Sequence, residues 1–407
     1  MNPAPSRSSS DDRCPGALRL HAADDGHVAR IRVPGGRLDP ARLVALADLA
    51  EALGDGELYL TSRGNVQVRG LAGDSGQAVA DRLYASGLLP SVTHDRVRNL
   101  VASPLSGIDG VTDVEVILAE LDEAILDDDR LVALSGRFLF GIDAGPGDVL
   151  ALRPDVAVVP CTTSSGVAAP AAGSDDAPAW RLVVAGRETA VTAPLDLAAD
   201  LLVGAAHRFL ALRADHAPHA WRATELPGAA LAELAPGRPG PQLADPVTRC
   251  SQHFPPAAAR GKSGEHGVTA GVGLGRHGVA VVAGVRLGSA PADICRAVAT
   301  LATDIRLTPW RSVVLANPAD AGAATAALED LGFLLDDADP LAPVTACIGR
   351  PGCAKALADV RADAPTLAAD HPGRRLHVAG CDRRCGRPAG PHLSAVASPD
   401  GYQTQEH

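Results

Sequence analysis

Four of the chain's eight cysteines fall within its last 61 residues. They read Cys347-Ile-Gly-Arg-Pro-Gly-Cys353 and, after 27 intervening residues, Cys381-Asp-Arg-Arg-Cys385. Four thiolates are the donor set of a [4Fe–4S] cluster. Gly349, Pro351 and Gly352 let the first loop wrap closely around a bulky group. Arg350, Lys355, Arg383 and Arg384 lie near in sequence and favour deprotonated thiols. Structural zinc is the main competing reading, since C-x3-C suits it, but C-x5-C exceeds its usual spacing. Disulfides are the third, and a chain of this length has little need of them. The other cysteines, 14, 161, 250 and 295, show no pattern.

A second set of chemical residues is basic. Thr61-Ser-Arg63-Gly-Asn-Val-Gln67 spans a predicted strand end and turn. Arg98-Asn99 follows His94-Asp-Arg96, and Arg306-Leu-Thr308-Pro-Trp-Arg311 repeats the first theme. Guanidinium groups at strand ends suit a ligand with several carboxylates, each bound bidentately. Against this stands the ordinary role of a surface Arg as a solvated charge. Only Lys262 and Lys355 are lysines, so little chemistry here can depend on an amine.

The elements that must position these residues follow from local patterns. Val28–Val33 predicts a strand, then Pro34-Gly-Gly36 a turn. Asp39 and Pro40 predict a helix start, with Leu43, Leu46, Ala47, Ala50 and Leu53 at helical spacing and Gly54-Asp-Gly56 at its end. Residues 57–61 and 66–69 predict strands, and 77–86 a helix. This is the start of a ferredoxin-like unit. The order recurs with a strand at 279–283, a helix opened by residues 289–293 and carrying Ile294, Ala297, Val298 and Leu301, and strands at 304–308 and 312–315. Val28 matches Val279, and Thr61 matches Thr308. The prediction is an α+β chain built by duplication.

Expected boundaries are a disordered tail at 1–13, a first ferredoxin-like half-domain at 14–90, and a first α/β domain without a cluster at 91–245. A second ferredoxin-like half-domain spans 246–338, and an α/β half-domain with the cluster spans 339–407. A low-complexity loop is expected at 161–178 and a Pro-rich linker at 236–246. The 407 residues carry a net charge of −11, which argues against a nucleic-acid partner. The tail has no signal-peptide pattern and no stretch reads as a transmembrane helix, so a cytoplasmic protein is expected.

At these residues the sequence resembles the nitrite/sulfite reductase superfamily, from Gly16 to Tyr402. The resemblance implies two ferredoxin-like half-domains and two α/β cluster-type half-domains. It implies a [4Fe–4S] cluster on Cys347, Cys353, Cys381 and Cys385. It implies tetrapyrrole contacts at Thr61, Arg63, Gln67, Arg98 and Asn99, with Arg306, Thr308 and Arg311 in the second copy. Two departures stand out. The reductases carry an R-K-F-K element where this chain has Arg137-Phe138-Leu139, so both lysines are missing. Tyr59 stands where an arginine precedes the first motif.

Within the superfamily the chain looks most like the O2-dependent enzymes of aerobic cobalamin biosynthesis. That resemblance implies oxidation of precorrin-3A, with C20 hydroxylation and closure of a γ-lactone. It implies an external electron donor (ferredoxin, flavodoxin or an NAD(P)H reductase) and a second, mononuclear non-haem iron. The ligands of that iron are unassigned, with His94, His253, His266, His277 and His377 candidates by type only. The alternative is a sulfite or nitrite reductase in which Cys385 also bridges to sirohaem iron.

Overall fold

The computed structural model describes residues 16–161, 179–235, 272–388 and 390–407. The predicted tail, Cys14, most of the 161–178 loop, the 236–246 linker, Cys250, His253, Lys262 and His266 lie outside the described residues. Contacts divide the chain into two compact units. One comprises Arg32–Gly36 and Ser91–Val272; the other comprises Pro15–Ile31, Arg37–Pro90 and Gly273–His407. No described helix is long and apolar enough to cross a membrane.

The second-named unit begins with β1 (His21–Ala23), β2 (Gly26–Ile31), β3 (Arg37–Leu38), α1 (Pro40–Leu53), β4 (Glu57–Leu60), β5 (Val66–Leu71) and α2 (Gly76–Ala85). The α1 start is the predicted one. Asp39 accepts a hydrogen bond from the Arg42 N–H at 2.7 Å, and Pro40 opens the first turn. Leu43, Leu46, Ala47 and Ala50 are its buried face. At Gly54, which ends it, a Cβ would lie 2.6 Å from the Arg69 carbonyl oxygen, so a side chain has no room.

The other unit holds β6 (Leu100–Ala102), α3 (Glu115–Leu126), β7 (Phe140–Ile142), β8 (Val156–Pro160), β9 (Trp180–Val184), β10 (Arg187–Ala193), α4 (Ala198–His216) and α5 (Gly228–Leu234). Its sheet order is β10-β9-β8-β7-β6, with β6, β7 and β8 parallel and the rest antiparallel. Ala185 and Gly186 join β9 to β10 with φ of 48° and 77°, the twist a two-residue hairpin needs. Phe138 packs on Phe140 and Phe209 at ring distances of 5.1 and 4.9 Å in the core.

Returning to the first-described unit, the second copy comprises β11 (Gly275–His277), β12 (Ala280–Gly284), β13 (Ser289–Pro291), α6 (Ala292–Ala299), β14 (Ile305–Leu307), β15 (Ser312–Leu315) and α7 (Ala321–Asp330). The cysteine-bearing end follows as β16 (Val344–Ala346), α8 (Val360–Asp370), β17 (Leu376–Ala379), β18 (Leu393–Ser398) and β19 (Gly401–Glu406). The two hairpin sheets run β1-β2-β5-β4-β13 and β11-β12-β15-β14-β3. Each therefore takes its fifth strand from the other copy. Ser289, Ala290 and Pro291 pair with Tyr59, Leu58 and Glu57, while Leu38 and Arg37 pair with Ile305 and Arg306.

Three details of the sequence reading change, the first of them through this exchange. Residues 289–291 do not open a helix; they are strand β13, because the free edge of β4 satisfies their backbone, and α6 starts only at Ala292. Leu301 lies beyond the α6 end, and Val279 lies in the turn before β12, exposed. The Thr61–Thr308 match stands: Thr61 N–H donates to Asn65 O and Thr308 N–H to Ser312 O, both at 2.9 Å.

The α/β sheets are related in the same way. β16, β17 and β18 are parallel with β19 antiparallel, the arrangement of β6, β7, β8 and β9. Register places Leu100 with Val344 and Phe140 with Leu376, so Ser103 stands where Cys347 stands, and Ala144 where Gly380 stands. The shared contact survives with the element changed. Ala144 N–H donates to Ser103 Oγ at 2.9 Å, and Gly380 N–H donates to Cys347 Sγ at 3.2 Å. In the cysteine-free copy the loop is closed by carboxylates. Asp143 accepts from the N–H groups of Gly145, Gly147, Val149 and Leu150, and Asp148 accepts from Ser103 Oγ at 2.7 Å.

Burial, then the Asp143 carboxylate, push the Asp148 carboxyl up to about 7. Burial raises Asp143 too, but its four N–H donors favour charge there, so the pair's proton sits on Asp148. A raised carboxyl contributes stability below its unfolded value, near 3.8, and loses it as pH rises through 7. Asp148→Asn keeps an acceptor for Ser103 and should remove this slope. Thermal unfolding from about pH 4.5 to 8 should show the wild type losing on the order of 2 kcal/mol relative to the variant; parallel pH profiles would contradict the assignment.

Candidate functional site

Cys347 directly follows β16, and Cys381 follows Gly380 at the end of β17, so two adjacent parallel strands deliver both cysteine loops to one sheet end. The loops are stitched together by their backbones. Cys347 N–H donates to Val378 O at 2.9 Å, and Leu357 N–H to Gly380 O at 2.8 Å. Arg350 Nε donates to Ala356 O at 2.7 Å, closing the first loop on itself. A Cβ at Gly380 would lie 2.5 Å from the Ala356 Cβ, so this approach requires glycine.

Cys347, Cys353, Cys381 and Cys385 are free thiols. Burial raises the Cys347 thiol; N–H groups of Gly380 and Gly349 oppose the shift, and the Cys385 and Cys353 thiols reinforce it. Such mutual destabilisation of thiolates is relieved by a bound cation. Among the described residues no three His, Cys or carboxylate side chains are grouped as a single ion requires. A cubane takes one thiolate at each of four irons, a donor count that four cysteines on two stitched loops match, and the N–H donors to Cys347 would remain as donors to a ligated sulfur.

The predicted arginines divide into two kinds. Arg98 is buried and makes a bidentate pair with Asp122, both contacts 2.7 Å. Asn99 is fully buried, accepts from Arg32 at 2.9 Å and donates to Phe138 O at 3.0 Å. Both brace their own unit, with polar groups engaged inside it. Arg306 is likewise held, by Asp304 at 2.6 Å, and Arg37 shares that carboxylate. Gln67, with its amide oxygen turned to Arg30, accepts from it at 2.8 Å.

The second kind sits on the two Thr turns. Thr61 Oγ1 accepts from the N–H groups of Asn65 and Arg63, and Thr308 Oγ1 from those of Ser312 and Trp310. Register aligns Arg63 with Trp310 and Gly64 with Arg311. Gly64 and Arg311 share the left-handed conformation, with φ of 67° and 60°, which disfavours an arginine. Arg311 is half-buried, its charge disfavoured by burial and by nearby Arg361. Its guanidinium lies against Gly386, directly after Cys385, where a Cβ would be 3.4 Å from Nη2. The charge of Arg311 and burial, burial foremost, hold His377 down to about 4 and hence neutral, with Nδ1 2.9 Å from Thr345 Oγ1.

Arg361 carried no sequence signal. It lies on α8, donates to Leu287 O and Ser289 Oγ, and stands 5.9 Å over the Tyr59 ring. A guanidinium thus reaches the position where Tyr59 replaces the expected arginine. The R-K-F-K counterpart is also resolved: Arg137 is exposed over Trp221, and Leu139 is buried against Val101 and Val149. Of the candidate iron ligands, His94 bonds Ser91 and Thr93, His277 bonds Gly273 O, and His377 bonds Thr345. They stand on separate elements and do not assemble a mononuclear iron site among the described residues.

Residues 21–86 match the nitrite/sulfite reductase ferredoxin-like half domain. A precorrin-3B synthase of Sinorhizobium sp is 27% identical over 418 aligned residues, which span 96% of this chain and 81% of that protein. A ferredoxin–nitrite reductase of Synechococcus elongatus is 38% identical over 84 residues, 20% of this chain and 16% of its own length. The solved structure of the Mycobacterium tuberculosis NirA protein covers 93% of this chain and 73% of its own at a TM-score of 0.66 and 18% identity, a likeness of fold.

Cys347→Ser should abolish cluster binding, since it removes one corner ligand and the sulfur that Gly380 and Gly349 address. Iron and acid-labile sulfide per chain should fall to near background after anaerobic reconstitution; full retention would refute the ligand assignment.

Proposed function

We propose that this chain, which carries a nitrite/sulfite reductase ferredoxin-like half domain and resembles a precorrin-3B synthase along its length, is a cytoplasmic oxidoreductase that hydroxylates a tetrapyrrole. The substrate is precorrin-3A. One oxygen atom of O2 enters at C20 with closure of the γ-lactone, and the other leaves as water with two electrons and two protons. The electrons come from an external reductase or ferredoxin-type donor. A [4Fe–4S] cluster on Cys347, Cys353, Cys381 and Cys385 supplies single-electron transfer when bound.

The observation that carries this reading is the contact of Arg311 with Gly386. It puts a half-buried guanidinium, held in a strained backbone position, beside the residue after Cys385. A carboxylate bound there would be oriented next to the electron source and would relieve the repulsion between Arg311 and Arg361. Arg63 on the matching turn holds a second acidic group of the same macrocycle. His377, neutral at physiological pH, adds no competing charge.

Burial of Leu139 supports a substrate other than sulfite or nitrite. An ammonium at that position would have to displace the Val101–Val149 packing, so the second of the reductases' paired lysines has no place here. No step depends on the mononuclear iron, for which the described residues offer no ligand set.

Incubation with precorrin-3A, a reductant and 18O2 tests the reading. The product should carry one 18O atom, and Arg63→Ala should weaken tetrapyrrole binding about tenfold or more, the loss of one charged hydrogen-bonded contact. Product without label, or unchanged affinity in the variant, would contradict it.

A further inference from the structure

A half-open cavity of about 30 Å³ with no polar lining lies between the two copies, and the exchanged strand β13 lends it Ala290. Residues of both copies line it. Leu60 and Leu307 line it as an equivalent pair, each preceding a Thr turn, and Val66 and Val313 line it as the pair that follows. The helices break this symmetry. In α6, Cys295 and Val298 fall 252 residues after Leu43 and Leu46 of α1, so each large side chain of the first copy is matched by a smaller one. Cys295 and Val298 both line the cavity, so a longer side chain at either position would project into it.

A water needs roughly 10–15 Å³ of such space and two or more polar partners; this cavity has the space and lacks the partners. Burial pushes the Cys295 thiol up to about 12, so it remains a neutral SH and leaves the lining uncharged. What fits is a small apolar molecule of diatomic size. We infer that the cavity is a binding site for dioxygen, held directly beneath the Thr61 and Thr308 turns. The identity of the gas rests on the reaction proposed above, which consumes O2; the apolar site itself does not.

Xenon is the probe for the site and dissolved O2 for its occupant. The full chain under xenon pressure should show one xenon within the cavity. Cys295→Leu, which restores the residue of the first copy, should abolish it, and Val298→Leu provides a second filling variant should the first fail to fold. In methyl NMR, O2 should enhance relaxation at Leu307 and Val313 more than at Leu202 in the core of the other unit, and xenon should reverse that enhancement. Absence of xenon, its persistence in both folded filling variants, or equal relaxation at Leu202 would overturn the inference. Enhanced relaxation at the lining methyls with no O2 consumed in the precorrin-3A incubation would leave the site standing and defeat the reaction.

Discussion

Two short strands, Arg37–Leu38 and Ser289–Pro291, each close the sheet of the other copy. Without them β4 and β14 would be exposed edges, with unpaired backbone groups inviting wrong partners. Because the exchange is reciprocal, neither hairpin sheet is complete until both copies are present. The consequences reach the candidate site. β4 and β14 end in the Thr61 and Thr308 turns, so the exchange fixes where Arg63 and Arg311 emerge. The exchanged strand also anchors the cysteine-bearing end, since Ser289 Oγ donates to Glu57 and accepts from Arg361 on α8.

The second duplication has diverged more. One sheet presents Ser103, Asp143 and Asp148; the other presents four cysteines on corresponding loops. An N–H donated to oxygen in one copy is donated to sulfur in the other. A loop that holds a metal cluster needs repelling thiols brought together, whereas its counterpart satisfies itself with backbone donors around a shared proton. The first copy is thus closed on itself, while the second gathers thiols at the same sheet end. Arg98 and Asn99 brace the first copy's unit through Asp122, Arg32 and the Phe138 carbonyl.

Much of this was legible in the sequence where the signal is local. Asp39, Pro40 and Gly54 mark the ends of α1 because capping chemistry depends on neighbours in the chain. The cysteine spacing marks the two loops that meet at one sheet end for the same reason, and the Thr61–Thr308 match exposes the repeat. What escaped was set by distant partners. Residues 289–291 read as a helix start, yet Ser289 bonds a side chain 232 residues away. Arg361 has no local pattern at all, and its role appears only when α8 meets β13. The single-residue shift between Arg63 and Arg311 required the turn geometry, because an arginine at positive φ looks like any other arginine in a sequence.

The central claim is a redox enzyme whose tetrapyrrole is substrate and whose resident metal group sits on Cys347, Cys353, Cys381 and Cys385. An absorption spectrum of the anaerobically purified chain, read with iron and sulfide content, tests it most directly. The account predicts an iron–sulfur spectrum without a sirohaem band. A sirohaem band present in stoichiometric amount would contradict it and make the tetrapyrrole a permanent cofactor of a sulfite- or nitrite-type reductase.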